Sequence, residues 1–169
     1  NQTLSFALNT TSVALGVLTT GGVSTGTNTM TVSTNATSGF VITGQGSTLT
    51  DGSNTIPFTL DGTVTAGVSE YGVAFSGGSG SHPSGDQNLS STTTVTTVTG
   101  PASSDVTTAT YKASISGSQA AGNYTSAITY ICTATFCLPT LRPPTAATRP
   151  PSSYLLARHR RFPYYSGRQ

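Results

Sequence analysis

Hydrophobic and polar residues alternate along most of the chain, and the longest alternating run extends from Gly122 to Phe136. The apolar members of one side of this run are Tyr124, Ile128, Tyr130, Cys132, Ala134 and Phe136. Threonine occupies most of the other side. Because alternate residues of a strand point to opposite faces, this pattern predicts a closing β-strand with one buried face. The length of the run also predicts a bend or bulge within it.

The same alternation recurs earlier in short runs that are separated by turn residues. The predicted inward-facing sets are Leu4, Phe6 and Leu8; Val13, Leu15 and Val17; Met30 and Val32; Ile56, Phe58 and Leu60; Tyr71, Val73 and Phe75; and Ala109, Tyr111, Ala113 and Ile115. No segment has a helical period. About eight or nine strands at this spacing predict an all-β fold, a two-sheet antiparallel β-sandwich of Ig-like or jelly-roll type. The short connection 118–122 predicts a hairpin between the last two strands.

The composition points to a particular kind of surface. The chain has 169 residues, of which only 7% are charged, against about 25% in typical soluble domains. Ser, Thr, Gly and Asn take the place of charged residues, as in many secreted and cell-surface β proteins. This composition is unusual for a cytosolic enzyme.

The last 33 residues differ from the rest of the chain. Residues 137–169 hold six of the nine prolines, six of the seven basic residues and no acid. We therefore divide the chain into a β-sandwich domain (1–136) and an irregular Pro/Arg-rich tail (137–169). Arg158, Arg160 and Arg161 form a candidate surface-binding cluster. Three interpretations of the tail stay open: a basic linker or arm, an arm that docks on a neighbour, or a non-native or frameshifted end. We expect no nucleic-acid partner.

Few side chains suit catalysis or metal binding. His82 precedes Asp86 by four residues, but no G-x-S-x-G motif accompanies them, so a solvated loop histidine is the favoured interpretation. Asp51 and Asp61 occur in turn sequences and are predicted to be turn formers. Structural calcium at Asp51, Asn54 or Asp86 is a weaker alternative because a dense D-x-D pattern is missing. The predictions are no enzyme and no cofactor.

The two cysteines, Cys132 and Cys137, fall on opposite faces of an extended strand, about 16 Å apart at the usual rise per residue. A disulfide requires Cα atoms within about 7 Å, so pairing would require the chain to double back. We predict Cys132 to be a small buried apolar residue and leave the pairing open. No stretch approaches the roughly 20 apolar residues of a membrane helix. The polar start at Asn1 suggests a mature chain after removal of a signal peptide.

Four segments carry a resemblance to a known group of proteins. They are L-S-F-A-L-N-T-T-S-V-A-L-G-V-L from Leu4, T-N-T-M-T-V-S-T-N-A-T-S-G-F-V-I-T from Thr27, E-Y-G-V-A-F from Glu70, and the closing A-G-N-Y-T-S-A-I-T-Y-I-C-T-A-T-F. Residues 3–136 resemble secreted, Ser/Thr-rich β-sandwich surface proteins of bacteria, particularly of candidate phyla (Patescibacteria-like). The resemblance implies an exported structural or adhesive module. Cys132, where Thr or Val is expected, and the tail depart from it.

The functional expectation is a non-enzymatic extracellular module of a bacterial surface layer, adhesin or pilus-like filament. Its expected partners are copies of itself or other cell-surface polymers, joined through strand addition. Segment 1–9, with Leu4, Phe6 and Leu8, is the candidate donor strand. The alternative is a carbohydrate-binding module. The chain lacks Trp, and its tyrosines fall mostly in apolar rows, which favours a core position for them. Rows of threonine leave ice binding as a third hypothesis.

Overall fold

The computed structural model describes residues 1–136; the tail, with Cys137 and the arginine cluster, lies outside the described residues. The described chain is all-β. Its strands are β1 (Leu4–Leu8), β2 (Ser24–Thr34), β3 (Phe40–Gly46), β4 (Leu49–Thr50), β5 (Thr55–Ile56), β6 (Glu70–Gly77), β7 (Thr93–Val98), β8 (Ala102–Ser114) and β9 (Ile128–Ala134). The predicted all-β sandwich of about nine strands is confirmed.

The strands form a four-stranded sheet in the order β1-β2-β8-β6, a three-stranded sheet in the order β7-β3-β9, and the small hairpin β4-β5. Every pairing between these strands is antiparallel. Side chains from both larger sheets meet in one hydrophobic core. The three-stranded sheet therefore has one strand fewer than the sheet on which it packs.

The alternating pattern accounts for the core. Along β2, Met30 and Val32 are buried, as predicted, while the threonines between them are half-exposed. On β3, Phe40 and Ile42 are buried in the same alternating way. β-Branched and aromatic side chains suit such a pleated surface, and their removal from water is the main favourable contribution to the free energy of folding.

The predicted second strand at Val13–Val17 is wrong. Residues 9–23 form an irregular connection in which Val13, Leu15 and Leu18 pack partly against the core, whereas Val17 is 87% exposed. The hydroxyl of Thr10 bonds locally to the backbone of Ser12. Gly16 has φ of 72°. Hydrogen bonds from side chains to nearby backbone groups compete with the backbone hydrogen bonds between strands, and a positive φ interrupts an extended chain.

The predicted hairpin between the last two strands is also wrong, because β8 and β9 belong to different sheets. The connection between them crosses the sandwich, and β9 begins only at Ile128. Before that point, Thr125 makes an isolated bridge to Thr50. This break corresponds to the bend that the length of the segment predicts. Leu60, predicted to face inward, is 92% exposed because the chain turns there around the Asp61 carboxylate.

Candidate functional site: the open side of the sandwich

The two sides of the sandwich differ in how their edge strands end. On one side, segment 57–59 and Gln87 bond to the outer edge of β6, with backbone N–O distances of 2.7 to 3.2 Å. On the same side, Ser81 and Thr97 exchange two backbone hydrogen bonds along the outer edge of β7. We call this the sealed side because its strand edges are paired by loops.

The other two edge strands have no such cover among residues 1–136. β1 pairs only with β2, and β9 pairs only with β3. On β9, the N–H of Thr135 donates to Gly39 O and the carbonyl of Ala127 accepts from Ser47 N–H. Because backbone groups alternate along an antiparallel strand, the even-numbered positions of β9, from Ile128 to Ala134, direct their N–H and C=O groups away from β3.

The ends of these two edge strands line shared cavities. Leu8, at the end of β1, and Ile128, at the start of β9, line one cavity of about 950 Å³. Asn1 and Phe136, at the opposite ends of the same segments, line a second cavity of about 320 Å³. We call the region between β1 and β9 the open side.

Apolar side chains remain partly uncovered along the open side. Leu4 and Leu8 pair with Thr34 and Met30 of β2 and therefore point toward the core, yet they are 40% and 37% exposed. Phe6 is half-buried between them. The candidate donor strand is thus an edge strand already paired in its own chain, with weak side-chain burial.

The facing strand has the same character. Ile128, Tyr130 and Cys132 of β9 are half-buried and pack at the margin of the core, while the residues between them are exposed. The predicted alternation of the closing strand is confirmed, but its inner face is only partly buried. Burial raises the pKa of the Cys132 thiol to about 11, which keeps the thiol protonated at neutral pH.

The larger cavity is uncharged and rich in aromatic side chains. None of the residues that line it carries a charged side chain. All four tyrosines that the sequence assigns to apolar rows line it: Tyr71, Tyr111, Tyr124 and Tyr130. Tyr71 and Tyr111 are buried, whereas Tyr124 and Tyr130 are half-buried, so the predicted core position is confirmed only for the first two.

A hydrogen bond of 3.0 Å joins the hydroxyls of Tyr111 and Tyr130 across the two sheets. Burial, which disfavours the phenolate, raises the pKa of both groups and of Tyr71. Asn28 also lines the cavity and is buried, and its Oδ1 has no hydrogen-bond partner in the described part of the chain. Sequence reasoning missed Asn28, although a polar residue in register with Met30 and Val32 is a visible signal.

The structure does not bring His82 and Asp86 together in a hydrogen bond. Nδ1 of His82 lies 3.1 Å from Val95 O, and its other ring nitrogen contacts Gly77 O. Asp86 is bound instead to Val64 N–H and to the Lys112 ammonium. His82 is half-buried rather than solvated. Its contact with Val95 O connects its loop to β7.

The other acidic candidates are turn formers, as predicted. Oδ1 of Asp51 accepts the N–H groups of Asn54 and Ser53 at 2.7 and 2.9 Å, and these bonds lower the pKa of its carboxyl. Asp61 accepts the hydroxyl of Thr59 and the N–H of Thr63, with the same effect on its pKa. Within residues 1–136 no three His, Cys, Asp or Glu side chains cluster as metal ligands.

No helix in the described range is long and apolar enough to cross a membrane. Comparison with known proteins found no matching family model, no similar curated protein and no similar solved structure. The resemblance to bacterial surface proteins therefore stays a prediction.

Proposed function

We propose that this chain is a non-enzymatic structural module of a bacterial cell surface, and that copies assemble through strand addition at the open side. The observation that carries the proposal is the three-stranded sheet, whose outer strand β9 has no partner beyond it among the described residues. The apolar side chains that face this position are half-exposed. A surface layer, an adhesin or a pilus-like filament would each use such a subunit.

An added strand suits this position for two physical reasons. The even-numbered backbone groups of β9 lack partners in the described chain and form a template for a further antiparallel or parallel strand. The inward side chains of that strand would also cover Ile128 and Tyr130 at the margin of the core. Burial of apolar surface contributes about 25 cal/mol per Å². Backbone hydrogen bonding and apolar burial therefore both favour binding of a strand beside β9.

The occupant that fits best is segment 1–9 of a second copy. Leu4, Phe6 and Leu8 supply three apolar side chains on one face, and no residue of the segment has a charged side chain. This matches the uncharged lining of the cavity. In its own chain β1 pairs with β2 over five residues, and hydrogen bonds of Asn1, Thr3 and Asn9 add to this pairing. The connection 9–23 that follows contains no strand.

The extracellular location rests on composition and on the resemblance. A surface that carries hydroxyls and amides in place of charges is typical of exported β proteins. Weak charge repulsion between copies also suits self-association, since net charge opposes it.

The test uses the full-length chain and a proline at β9. The N–H of Ala134 points away from β3, so Ala134→Pro removes an edge donor without removing a bond to β3. Ala134→Ser is the matched control because it keeps the donor. We expect light scattering and electron microscopy to show concentration-dependent assembly of the wild type and Ala134→Ser, and monomers of Ala134→Pro. A wild type that stays monomeric at all concentrations would exclude strand addition.

Deletion of residues 1–10 tests the donor separately. Loss of assembly, with restoration by an added synthetic peptide of residues 1–10, would support segment 1–9 as the donor. Assembly that persists unchanged would remove this segment from the proposal while leaving the acceptor edge in place.

Carbohydrate binding is the second candidate, and Asn28 favours it. An unpartnered amide oxygen beside tyrosine rings is a combination that accepts a sugar hydroxyl. Against it, Tyr71 and Tyr111 are too deeply buried to offer a ring face to a sugar. A glycan array with wild type and Asn28→Leu tests carbohydrate binding. Glycan binding that Asn28→Leu abolishes would support a carbohydrate-binding module. A stably folded wild type that binds no glycan would exclude it.

A further inference from the structure

The chain that follows β1 lines the larger cavity without interruption, from Thr10 to Leu18. We call residues 10–18 the strap. Within the described chain, no residue from 11 to 18 makes a hydrogen bond to another backbone group. Two side chains of β2 reach the strap, Asn28 Nδ2 to Thr10 O and Ser24 Oγ to Val17 O, each at 3.4 Å. These distances exceed those of good hydrogen bonds, so the strap is only weakly attached to β2.

A row of unpaired backbone groups lies across the cavity from the strap. Thr125 exchanges two backbone hydrogen bonds with Thr50, and the carbonyl of Ala127 accepts from Ser47 N–H. Because backbone groups alternate in direction along an extended chain, the even-numbered residues here point away from these partners. They all line the cavity: Tyr124, Ser126, Ile128 and Tyr130. Their outward N–H and C=O groups have no backbone partner within residues 1–136.

The strap runs in the direction that antiparallel pairing with this row requires. Its contacts with β2 pass from Asn28 at Thr10 to Ser24 at Val17, so the strap is antiparallel to β2, as β1 is. The end of β1 and the start of β9 line one cavity, and segment ends at Asn1 and Phe136 line the other. β1 and β9 therefore run in opposite directions, and the strap continues the direction of β1.

The sequence of the strap suits a strand at this position. Val13, Leu15 and Val17 alternate with small residues, which places all three on one face of an extended chain. Val13 and Leu15 already pack partly against the core, whereas Val17 is 87% exposed. The positive φ of Gly16, 72°, interrupts the extended conformation just before Val17. Glycine adopts positive and negative φ about equally well, so a rotation at Gly16 restores the alternation.

We propose that the strap closes onto residues 124–130 as an antiparallel strand of its own chain, and that this closure competes with strand addition from a second copy. Closure pairs two sets of free backbone groups, turns Val17 inward and fills an uncharged cavity. An added strand beside β9 requires the same edge at Ile128 and Tyr130, so the two events exclude each other. The competition rests on the proposed function, whereas closure itself rests on the geometry of one chain.

Amide hydrogen exchange, followed by NMR on dilute, monomeric full-length protein, tests closure directly. In the open conformation the amides of residues 13–18 have no backbone acceptor and should exchange at the rate of an unprotected chain. If the open state is populated to about 10% or less, alternate amides of the strap should exchange about 10-fold more slowly or slower still. Unprotected exchange throughout residues 13–18 would overturn the proposal.

Val17→Ser separates closure from the described conformation. Val17 is almost fully exposed when the strap is open, so its replacement affects only the closed state. We expect the protection of the strap amides to fall by about 10-fold or more, as the loss of a buried valine side chain implies. Leu60→Ser is the matched control, because Leu60 is 92% exposed on another turn and should leave strap exchange unchanged. Unchanged protection in a folded Val17→Ser would contradict closure.

The concentration at which assembly begins tests the competition. Apparent affinity equals intrinsic affinity multiplied by the fraction of open chains, so Val17→Ser should assemble at a lower concentration by the factor that it removes from protection. Light scattering measures this shift against wild type and Leu60→Ser. Lost protection with an unshifted concentration would overturn the competition. A wild type that never assembles would exclude strand addition, while amide exchange still decides whether the strap closes.

Discussion

The sealed and open sides are built from the same alternating strands, yet they differ in how completely the core is covered. On the sealed side, Leu89 and Val95 are fully buried beneath loops that pair with the strand edges. On the open side, Leu4 and Leu8 face the core but remain more than a third exposed. The difference shows that an inward-facing residue is buried only when a strand or loop lies opposite it. The side chains alone do not decide the outcome.

The largest expected contrast comes from truncating one leucine on each side. Leu89→Ala on the sealed side should lower the free energy of unfolding by about 2–5 kcal/mol, because it leaves a cavity in a closed environment. Leu8→Ala on the open side should cost about 1 kcal/mol or less, since part of that side chain is already in water. Urea unfolding of dilute, monomeric protein measures both. Equal costs would mean that the open side is closed in solution.

Adding a methyl group should show the same asymmetry with smaller effects. Gly72→Ala would place a Cβ within 3.1 Å of Thr59 and Val64 and still closer to Asp86, and overpacking of this kind costs about 1–3 kcal/mol. Gly22→Ala, in the connection between β1 and β2, meets no atom within 4 Å and should stay within about 0.5 kcal/mol of wild type. Thermal unfolding compares the pair, and a destabilising Gly22→Ala would show that the connection packs more tightly than described.

Much of this architecture follows from period-two alternation. The inward faces of β2, β6 and β8 and the alternation of β9 are visible in the sequence because each strand has one face toward the core. The segment at Val13 carries the same pattern yet forms no strand. Hydrogen bonds of the Thr10 side chain and the positive φ of Gly16 interrupt it. Local hydrogen bonds compete with strand pairing, and the alternating pattern alone does not predict which of the two forms.

Sheet order and the open side could not be predicted from these patterns. The predicted connection 118–122 is short enough for a hairpin, but the observed connection covers residues 115–127 and crosses between sheets, which only long-range pairing decides. The ion pair of Asp86 with Lys112 joins residues 26 positions apart, so no local motif reveals it. Asn28 is the exception, because a polar residue in an apolar row is recognisable before the fold is known.

The tyrosines at the inner end of the larger cavity predict a loss of stability in alkali. Burial raises the pKa of Tyr71, Tyr111 and Tyr130 above the usual 10.0, so the folded state holds these protons more tightly than the unfolded state. Their contribution is complete below about pH 10 and is lost as pH rises above it. Urea midpoints should fall there, and Tyr130→Phe should reduce the slope. A flat profile would contradict the burial of these hydroxyls.

The smallest expected effect concerns the thiol of Cys132, because modification rates report access without changing stability. In a Cys137→Ser background, Cys132 is the only thiol of the chain. With a pKa of about 11, it should react at pH 8 about 10- to 100-fold more slowly than a free cysteine, because little thiolate is present. A disulfide reagent with an absorbing leaving group measures this rate.

Assembly should then change the reactivity of Cys132 in a way that separates the two sides. Cys132 faces the core at the margin of the open side, so an added strand would cover it and slow the reaction further as protein concentration rises. The Ala134→Pro variant, which cannot accept the strand, should react at one rate constant at every concentration. Strand addition beside β9 would shield the side chain of Cys132. If the wild type reacts at a concentration-independent rate while light scattering shows assembly, the copies therefore associate through another surface.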